Sequence, residues 1–264
     1  MKNKIVIKIG TRILTTDSGQ LDKNNLKNLV DQISTLQKTY RGDEYRFIIV
    51  TSGSITCGSE ALGITPNTIP EKQAAASVGQ YLLMQEYGKC FKENGINVGQ
   101  ILLTRDGIED EARAENIKNT MNTLLNQGAI PIINENDSVA TDEIKFGDND
   151  ELSSKVSALI KASKLILLTD TDGLYEKNPM IDTDAKFLRT VKLITDDIIR
   201  MANGPVNKRS RGGMKSKIEA AKFATSNGIE TIIANGREKK IIEKLINNES
   251  FGTLFLVNQK EGLK

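Results

Sequence analysis

Two segments of the sequence place lysine close to glycine, a combination suited to binding phosphate. KIGT (8–11) puts Lys8 late in an apolar run and near Gly10, whose turn frees backbone N–H groups to face an anion. On its own, this motif fits an edge-strand lysine and a turn glycine equally well. The chain contains neither GxGxxG nor GxxxxGK(S/T), so the dinucleotide fingerprint and the P-loop do not explain it.

The second segment, RSRGGMKSKIEAA (209–221), is a glycine pair that leads into a predicted helix. The first turn of that helix carries Lys215 and Lys217. Helix N-termini favour acidic side chains, so lysines there become favourable if a phosphate docks beside them. A solvated lysine face is the alternative interpretation.

A third segment concentrates negative charge. Seven carboxylates lie between Glu135 and Ser153, a stretch that begins within INEND (133–137) and includes GDND (147–150). It lacks EF-hand spacing, which argues against calcium, and part of its charge lies at the start of a predicted helix, where acids are favourable. The remainder, Asp137 and Asp148 with Asn134 and Asn149, could receive an ammonium group and carboxylates, as on an α-amino acid. A solvated acidic loop is the alternative.

The fourth segment, TSGS (51–54), follows an apolar run. Ser52 is improbable as a nucleophile, because the chain contains no histidine. That absence excludes Ser-His-Asp and Cys-His chemistry as well as histidine-ligated zinc. A hydrogen bond from Ser52 to a substrate carboxylate fits better, and a turn that caps the next helix is an equal alternative.

Alternating elements must position these segments. Strands are predicted at 4–10, 46–53, 98–104, 129–137, 164–170, 230–236 and 252–257, and helices at 22–39, 72–94, 115–127, 149–162, 195–202 and 214–227. The pattern predicts an α/β fold, a three-layer αβα sandwich around a mostly parallel central sheet, as a single domain over 1–264. Ligands of such sheets bind beyond the carboxyl ends of the strands, where KIGT, TSGS, INEND and LTDTDG (168–173) fall.

Composition narrows the class of protein. A formal charge of +2, from 36 basic and 34 acidic side chains, predicts no nucleic acid partner. No apolar run approaches the ~18 residues of a membrane span, so no membrane partner is predicted. Cys57 and Cys90 form no CxxC pair, which indicates reduced thiols in a cytoplasmic protein.

Taken together, KIGT, VTSGS, INENDSVAT, KFGDNDELS, LLTDTDGLY, RGGMKSK and a late GTLF resemble the bacterial glutamate 5-kinase family of the amino acid kinase superfamily. The segments follow the family's order over residues 4 to 256. The resemblance implies ATP-dependent phosphorylation of the γ-carboxylate of L-glutamate, the first step of proline synthesis, with Mg²⁺. It also implies a homodimer or homotetramer, and L-proline as a candidate feedback inhibitor.

The resemblance assigns roles residue by residue. The catalytic residues would be Lys8, Lys217 and Asp150, with Asp150 holding the site in order; it assigns no metal ligand. The substrate residues would be Ser52, Asn134, Asp137, Asp148 and Asn149. The ATP residues would be Lys8, Gly10, Thr169, Asp170, Arg211, Gly212, Gly213, Met214, Lys215, Ser216 and Lys217. Residues 1–163 would form a substrate-side lobe and 164–264 a nucleotide-side lobe.

Two departures from the family pattern and two rival functions remain. The family more often has threonine where this chain has Arg211, and many members continue into a C-terminal PUA module, so a kinase-only form is expected.

The first rival is a sibling kinase for aspartate, N-acetylglutamate or a nucleoside monophosphate; an ammonium receptor argues against N-acetylated and phosphate substrates. The second is a non-catalytic sensor of ATP or an amino acid.

Overall fold

A computed structural model describes residues 3–16, 18–40, 44–140, 149–177, 182, 184–201 and 213–257. Three of the predicted site residues, Asp148, Arg211 and Gly212, lie outside these ranges.

The described chain alternates strands and helices, as the sequence predicts. The strands are β1 Asn3–Ile9, β2 Tyr45–Val50, β3 Val98–Leu103, β4 Ile130–Glu135, β5 Lys164–Thr169, β6 Thr190–Val191, β7 Glu230–Asn235 and β8 Thr253–Phe255. The helices are α1 Thr11–Leu14, α2 Lys23–Thr39, α3 Ser54–Leu62, α4 Ile69–Glu93, α5 Arg105–Glu109, α6 Glu111–Asn126, α7 Asn149–Leu159, α8 Asp196–Met201, α9 Met214–Ser226 and α10 Ile241–Ile246.

The eight strands form one sheet in the order β3-β4-β2-β1-β5-β7-β8-β6. Every described pair is parallel except β7 with β8, which is antiparallel. After β1 the chain builds the β2 side of the sheet and then crosses to the β5 side. The crevice between oppositely directed connections therefore opens at the carboxyl end of β1, where ligands of such sheets bind.

Each face of the sheet carries its own hydrophobic core. Ile5, Ile7 and Ile9 of β1 pack on one face against residues of α2, α4 and α10. Val6 of β1 packs on the opposite face against residues of α6, α7 and α9. The near-continuous apolar strands are thus covered on both sides, and the predicted three-layer αβα sandwich is confirmed.

Helix ends agree with the glycines that the sequence places after helical patterns. Gly95, Gly128 and Gly228 follow α4, α6 and α9, and their φ angles are 72°, 74° and 76°. This left-handed conformation is accessible to glycine at low cost and ends a helix. Sequence reasoning missed α1, α3, α5, α10 and β6, which are short or contain glycine.

Both cysteines are free and buried, at Cys57 in α3 and Cys90 in α4. In the part of the chain that the structure describes, every helix is too short or too polar to cross a lipid bilayer.

Candidate active site

Lys8 is buried near the end of the central strand. It lies opposite Val50 of β2 and Leu167 of β5, and only 3% of it is exposed. Because strand side chains alternate, Lys8 lies on the same face as Val6, which α7 and α9 cover. A lysine in this position needs a negative partner from one of those helices.

That partner is Asp150, in the first turn of α7. Its Oδ1 lies 2.6 Å from Nζ of Lys8, and its Oδ2 lies 3.1 Å from Nζ of Lys217. The Asp150 side chain is 0% exposed, and the two lysine side chains are 4% and 6% exposed. We call these three residues the lysine–aspartate cluster.

The charges of the lysine–aspartate cluster favour binding of an anion. Burial alone would raise the pKa of the Asp150 carboxyl, but the ammonium groups of Lys8 and Lys217 outweigh it and lower that pKa from 3.8 to about 2. Asp150 is therefore ionised at neutral pH. The cluster brings two ammonium groups together around one carboxylate. Two fixed ammonium groups at the end of the central strand suit contact with a phosphate group.

The two lysines in the first turn of α9 lie in different environments. Lys217 points inward with Ile218 and Ala221, whereas the side chain of Lys215 is 58% exposed and lies 3.8 Å from Glu219. Ser216 joins the site by donating to Oδ2 of Asp150 at 2.8 Å. The solvated lysine face considered from the sequence is therefore correct for Lys215 and wrong for Lys217.

The predicted substrate residues around Asn149 are brought together by hydrogen bonds. The two hydrogens of Nδ2 of Asn149 are shared among three acceptors: the carbonyl of Thr51 at 2.6 Å, Oδ1 of Asn134 at 2.8 Å and Oγ of Ser52 at 3.0 Å. The ends of β2 and β4 thus meet the start of α7. Ser52 does not cap α3, whose N-cap residue is Gly53. The Ser52 hydroxyl accepts from Asn149 and keeps its own hydrogen to donate.

The remaining amide atom of Asn149 provides a direct clue to the ligand. Its Oδ1 is buried and has no hydrogen-bond partner among the described residues. An unsatisfied buried acceptor costs about 1–3 kcal/mol, so a donor from a ligand is expected there. An ammonium group is such a donor.

Asp137 lies just after β4 and accepts a hydrogen bond from Oγ of Ser54 at 3.1 Å. Ser54 is fixed by close packing of α3 on α4: a Cβ atom on Gly79 would lie 1.8 Å from the Ser54 carbonyl oxygen. Backbones approach this closely only where glycine is present. The α3–α4 pair therefore holds Asp137 in place beside the other substrate-side residues. We call this group the receptor; it consists of Ser52, Asn134, Asp137 and Asn149.

The predicted ATP residues Thr169 and Asp170 lie at the end of β5, beside β1. Oγ1 of Thr169 donates to Oδ1 of Asp170 at 3.2 Å, and the Gly10 N–H donates to the Leu168 carbonyl at 3.2 Å. The guanidinium of Arg12 donates to Oδ2 of Asp170 at 2.8 Å. Burial raises the pKa of Asp170, but the hydrogen bond and charge of Arg12 outweigh it and lower that pKa. Sequence reasoning missed Arg12, although it directly follows KIGT.

The described residues contain no group of three or more His, Cys, Asp or Glu side chains that could hold a metal ion. Both carboxylate oxygens of Asp150 are engaged by lysines.

Residues 3–235 match the amino acid kinase family. The chain is similar to a glutamate 5-kinase of Clostridium acetobutylicum, with 45% identity over 260 residues that cover 98% of this chain and 96% of the relative. The chain belongs to the amino acid kinase family, in its glutamate 5-kinase branch. The resemblance inferred from the sequence motifs is confirmed.

Other glutamate 5-kinases show the same similarity. That of Clostridium tetani is 47% identical over 253 residues, 95% of this chain and 93% of the relative. That of Syntrophus aciditrophicus is 46% identical over 255 residues, which cover 96% of this chain and 65% of the relative.

Solved structures of amino acid kinase fold agree with the architecture. The UMP kinase of Ureaplasma parvum superposes with a TM-score of 0.65 at 18% identity, covering 97% of this chain and 99% of that chain. An isopentenyl phosphate kinase gives a TM-score of 0.65 at 18% identity, covering 96% of this chain and 100% of that chain. At this identity the similarity establishes the fold alone.

Proposed function

We propose that the protein transfers the γ-phosphoryl group of ATP to the γ-carboxylate of L-glutamate, as the first step of proline synthesis. The observation that carries the proposal is the buried lysine–aspartate cluster between two sets of strand ends. The ends of β2 and β4 carry the Asn149 receptor, and the end of β5 carries Thr169 and Asp170. Membership of the glutamate 5-kinase branch supports the choice of substrate.

The proposed reaction requires no general base. A glutamate γ-carboxylate has a pKa of ~4.3 and is ionised at neutral pH. One of its oxygens forms a bond to the γ-phosphorus while the bond between that phosphorus and the β,γ-bridging oxygen breaks, and ADP leaves. This suits a chain without histidine.

Charge is the main obstacle, because a carboxylate must approach a polyanion. Lys8 and Lys217 would contact the transferring phosphoryl group, and Asp150 would hold both ammonium groups in place. Fixed positive charges of this kind stabilise a transition state without reorganising at the moment of reaction. Gly213, Met214 and Ser216 lie at the start of α9 beside Lys217 and would line the phosphate side.

Mg²⁺ would further neutralise the phosphates of ATP. Asp150, among the described residues, is already paired with lysines, and phosphate oxygens of the nucleotide would supply ligands to the ion.

The receptor would recognise glutamate as an α-amino acid. Oδ1 of Asn149 would accept from the ammonium group, Asp137 would add negative charge, and the Ser52 hydroxyl would donate to a carboxylate. An N-acetylated substrate presents no ammonium group, so it would offer no positive charge to Asp137 and a weaker donor to the Asn149 oxygen. A sibling kinase for an N-acetylated substrate therefore receives less support, and the buried lysine–aspartate cluster argues against a non-catalytic sensor.

Asp137→Asn is expected to raise the KM for L-glutamate at least ~10-fold, because a charge-assisted hydrogen bond is worth roughly 1.5–3 kcal/mol. The KM for ATP should change little, and steady-state kinetics with each substrate varied would measure both. Asp31→Asn is a control, since its carboxylate is 45% exposed on α2 and bonds Lys27 at 3.5 Å. An equal fall in ATP affinity would show that Asp137 organises nucleotide or metal instead.

L-Proline carries the same α-ammonium and α-carboxylate as glutamate and would use part of the same receptor. Inhibition by L-proline should therefore weaken as L-glutamate concentration rises, in initial-rate measurements at several concentrations of each. Inhibition independent of L-glutamate over a wide range would contradict a shared site.

Product identity tests the proposed function directly. An acyl phosphate reacts with hydroxylamine to give a hydroxamate and inorganic phosphate. The protein with ATP, Mg²⁺, L-glutamate and hydroxylamine should therefore yield γ-glutamyl hydroxamate, detected by mass spectrometry. ADP release without hydroxamate would contradict transfer to a carboxylate. We also propose that the protein is cytoplasmic and assembles into a homodimer or homotetramer, as the resemblance implies.

A further inference from the structure

Three side-chain amides at the receptor form a chain that runs in one direction. Nδ2 of Asn149 donates to Oδ1 of Asn134 at 2.8 Å, and Nδ2 of Asn134 donates to Oε1 of Gln80 at 2.7 Å. We call these residues the amide chain. Gln80 lies on α4, is 8% exposed and was not singled out by the sequence motifs.

Backbone groups fix the direction of the amide chain. The carbonyl of Thr51 accepts from Nδ2 of Asn149 at 2.6 Å, and the N–H of Glu135 donates to Oδ1 of Asn134 at 3.0 Å. A carbonyl only accepts and a backbone N–H only donates, so neither asparagine amide can be turned over. Gln80 must then present its oxygen to Asn134.

A directed chain leaves unsatisfied atoms of opposite kind at its two ends. Oδ1 of Asn149 lacks a donor and Nε2 of Gln80 lacks an acceptor, and both atoms are buried, as judged from the described residues. A buried polar group without a partner costs about 1–3 kcal/mol, and Gln80 carries this cost at Nε2. Its Oε1 meanwhile satisfies the buried Nδ2 of Asn134, so the glutamine oxygen is the part of the side chain that serves the receptor.

Packing places Gln80 accurately for such a role. The preceding residue, Gly79, touches the backbone of Ser54, because a Cβ atom on Gly79 would lie 1.8 Å from the Ser54 carbonyl oxygen. Ser54 in turn donates to Asp137 at 3.1 Å. The segment of α4 that carries Gln80 is thus fixed against the same receptor that the amide chain enters.

We propose that Gln80 is a positioning residue for the amino acid substrate, an inference that rests on the proposed function. By accepting from Asn134, Gln80 holds the Asn134 oxygen towards Asn149. The NH₂ group of Asn149 then donates to protein acceptors, and its oxygen faces the substrate ammonium group. The selectivity of the receptor for an α-ammonium group would therefore extend to a residue that does not touch the substrate.

Two substitutions separate the contributions of Gln80. Gln80→Met keeps the length and removes the acceptor, and it should raise the KM for L-glutamate roughly 10-fold, with kcat and the KM for ATP changed less than about threefold. Gln80→Glu retains an acceptor for Asn134 and should restore the KM for L-glutamate to within about threefold of the unsubstituted value.

Gln32 on α2 offers a matched control. It is 4% exposed, its Oε1 accepts from the Ile242 N–H at 2.9 Å, and its Nε2 also lacks a partner among the described residues. Gln32→Met therefore removes the same group from the same kind of environment, away from the receptor. It should leave the KM for L-glutamate unchanged, whatever it does to thermal stability.

A ligand without the ammonium group gives a second readout. Glutarate has both carboxylates of glutamate and no amine, so its inhibition constant should be the same for the unsubstituted protein and for Gln80→Met. A purely structural defect would weaken glutarate and L-glutamate alike, and that result would overturn the proposal.

The remaining outcomes are also decisive. An equal KM for L-glutamate in Gln80→Met and Gln32→Met would overturn the proposal, as would a Gln80→Glu variant as impaired as Gln80→Met. If Gln80→Met does not fold, Gln80→Leu, which also lacks the acceptor, takes its place in each comparison. If the unsubstituted protein releases no ADP with L-glutamate, the proposed function fails and the inference fails with it.

Discussion

Lys217→Ala is expected to lower kcat by about 10²–10³ while the protein remains folded. The substitution removes one of the two ammonium groups of the lysine–aspartate cluster, and Asp150 keeps its 2.6 Å contact with Lys8. The lost charge acts on the transferring phosphoryl group, so the KM for L-glutamate should change only modestly. Steady-state kinetics and a thermal unfolding curve would be measured together.

Lys215→Ala is the matched control for this prediction. Lys215 lies two residues earlier in the first turn of α9, and its side chain is 58% exposed. Its loss should leave kcat within about twofold, since exposed ion pairs contribute little. Turnover of Lys217→Ala within a factor of about two of the unsubstituted protein would contradict the assigned role.

Asp150→Asn is expected to be the most destabilising change at the site. It keeps the shape of the side chain but leaves the ammonium groups of Lys8 and Lys217 buried beside each other without their shared carboxylate. Removing one member of a buried ion pair commonly costs about 3–5 kcal/mol, so the free energy of unfolding in urea should fall by roughly that amount. Turnover should fall as well, because the lysines lose their anchor.

Glu151→Gln provides the control on the same helix. The Glu151 side chain is 32% exposed and pairs with Arg105 at 2.6 Å near the surface, so its loss should cost less than about 1 kcal/mol. ATP should stabilise Asp150→Asn more than it stabilises the unsubstituted protein, because the nucleotide then supplies the missing negative charge. A variant as stable as Glu151→Gln would contradict the electrostatic account of the cluster.

The stability difference between the unsubstituted protein and Asp150→Asn should depend on pH. The folded-state pKa of Asp150 is lowered to about 2, so the carboxylate contributes stability above its unfolded pKa of ~3.9 and loses that contribution as pH falls towards 2. The difference in unfolding free energy between the unsubstituted protein and Asp150→Asn should therefore shrink between about pH 4 and pH 2. A difference that stays constant over this range would contradict the lowered pKa.

The layers of the fold could be predicted because their signals are local. Near-continuous runs of Val, Ile and Leu mark β1, β2, β4 and β5, and glycines with positive φ follow the long helices. The missed elements have weak local signals. Helices α1 and α5 span 4 and 5 residues, too few to show helical periodicity, and α3 contains Gly58 in its middle.

The site residues also differ in how far the sequence could predict their positions. Lys217 lies on the helix face that Ile218 and Ala221 define, so helical phase alone could have separated it from Lys215. The pairing of Asp150 with both lysines was expected only from the resemblance. Asp150 lies 67 residues from Lys217 and farther still from Lys8, and such separations leave no local pattern. Gln80 is 54 residues from Asn134 and sits in an ordinary helical sequence. Only the packed structure shows that it enters the receptor.

The most direct test of the central claim is ADP release from ATP and Mg²⁺ with L-glutamate, L-aspartate or N-acetylglutamate as acceptor. L-Glutamate should support turnover, and N-acetylglutamate, which lacks the ammonium group, should give a kcat/KM at least about 100-fold lower. L-Aspartate keeps the ammonium group but is one methylene shorter, so its carboxylate would not reach the lysine–aspartate cluster. ADP release that is independent of any acceptor, or faster with N-acetylglutamate than with L-glutamate, would contradict the account.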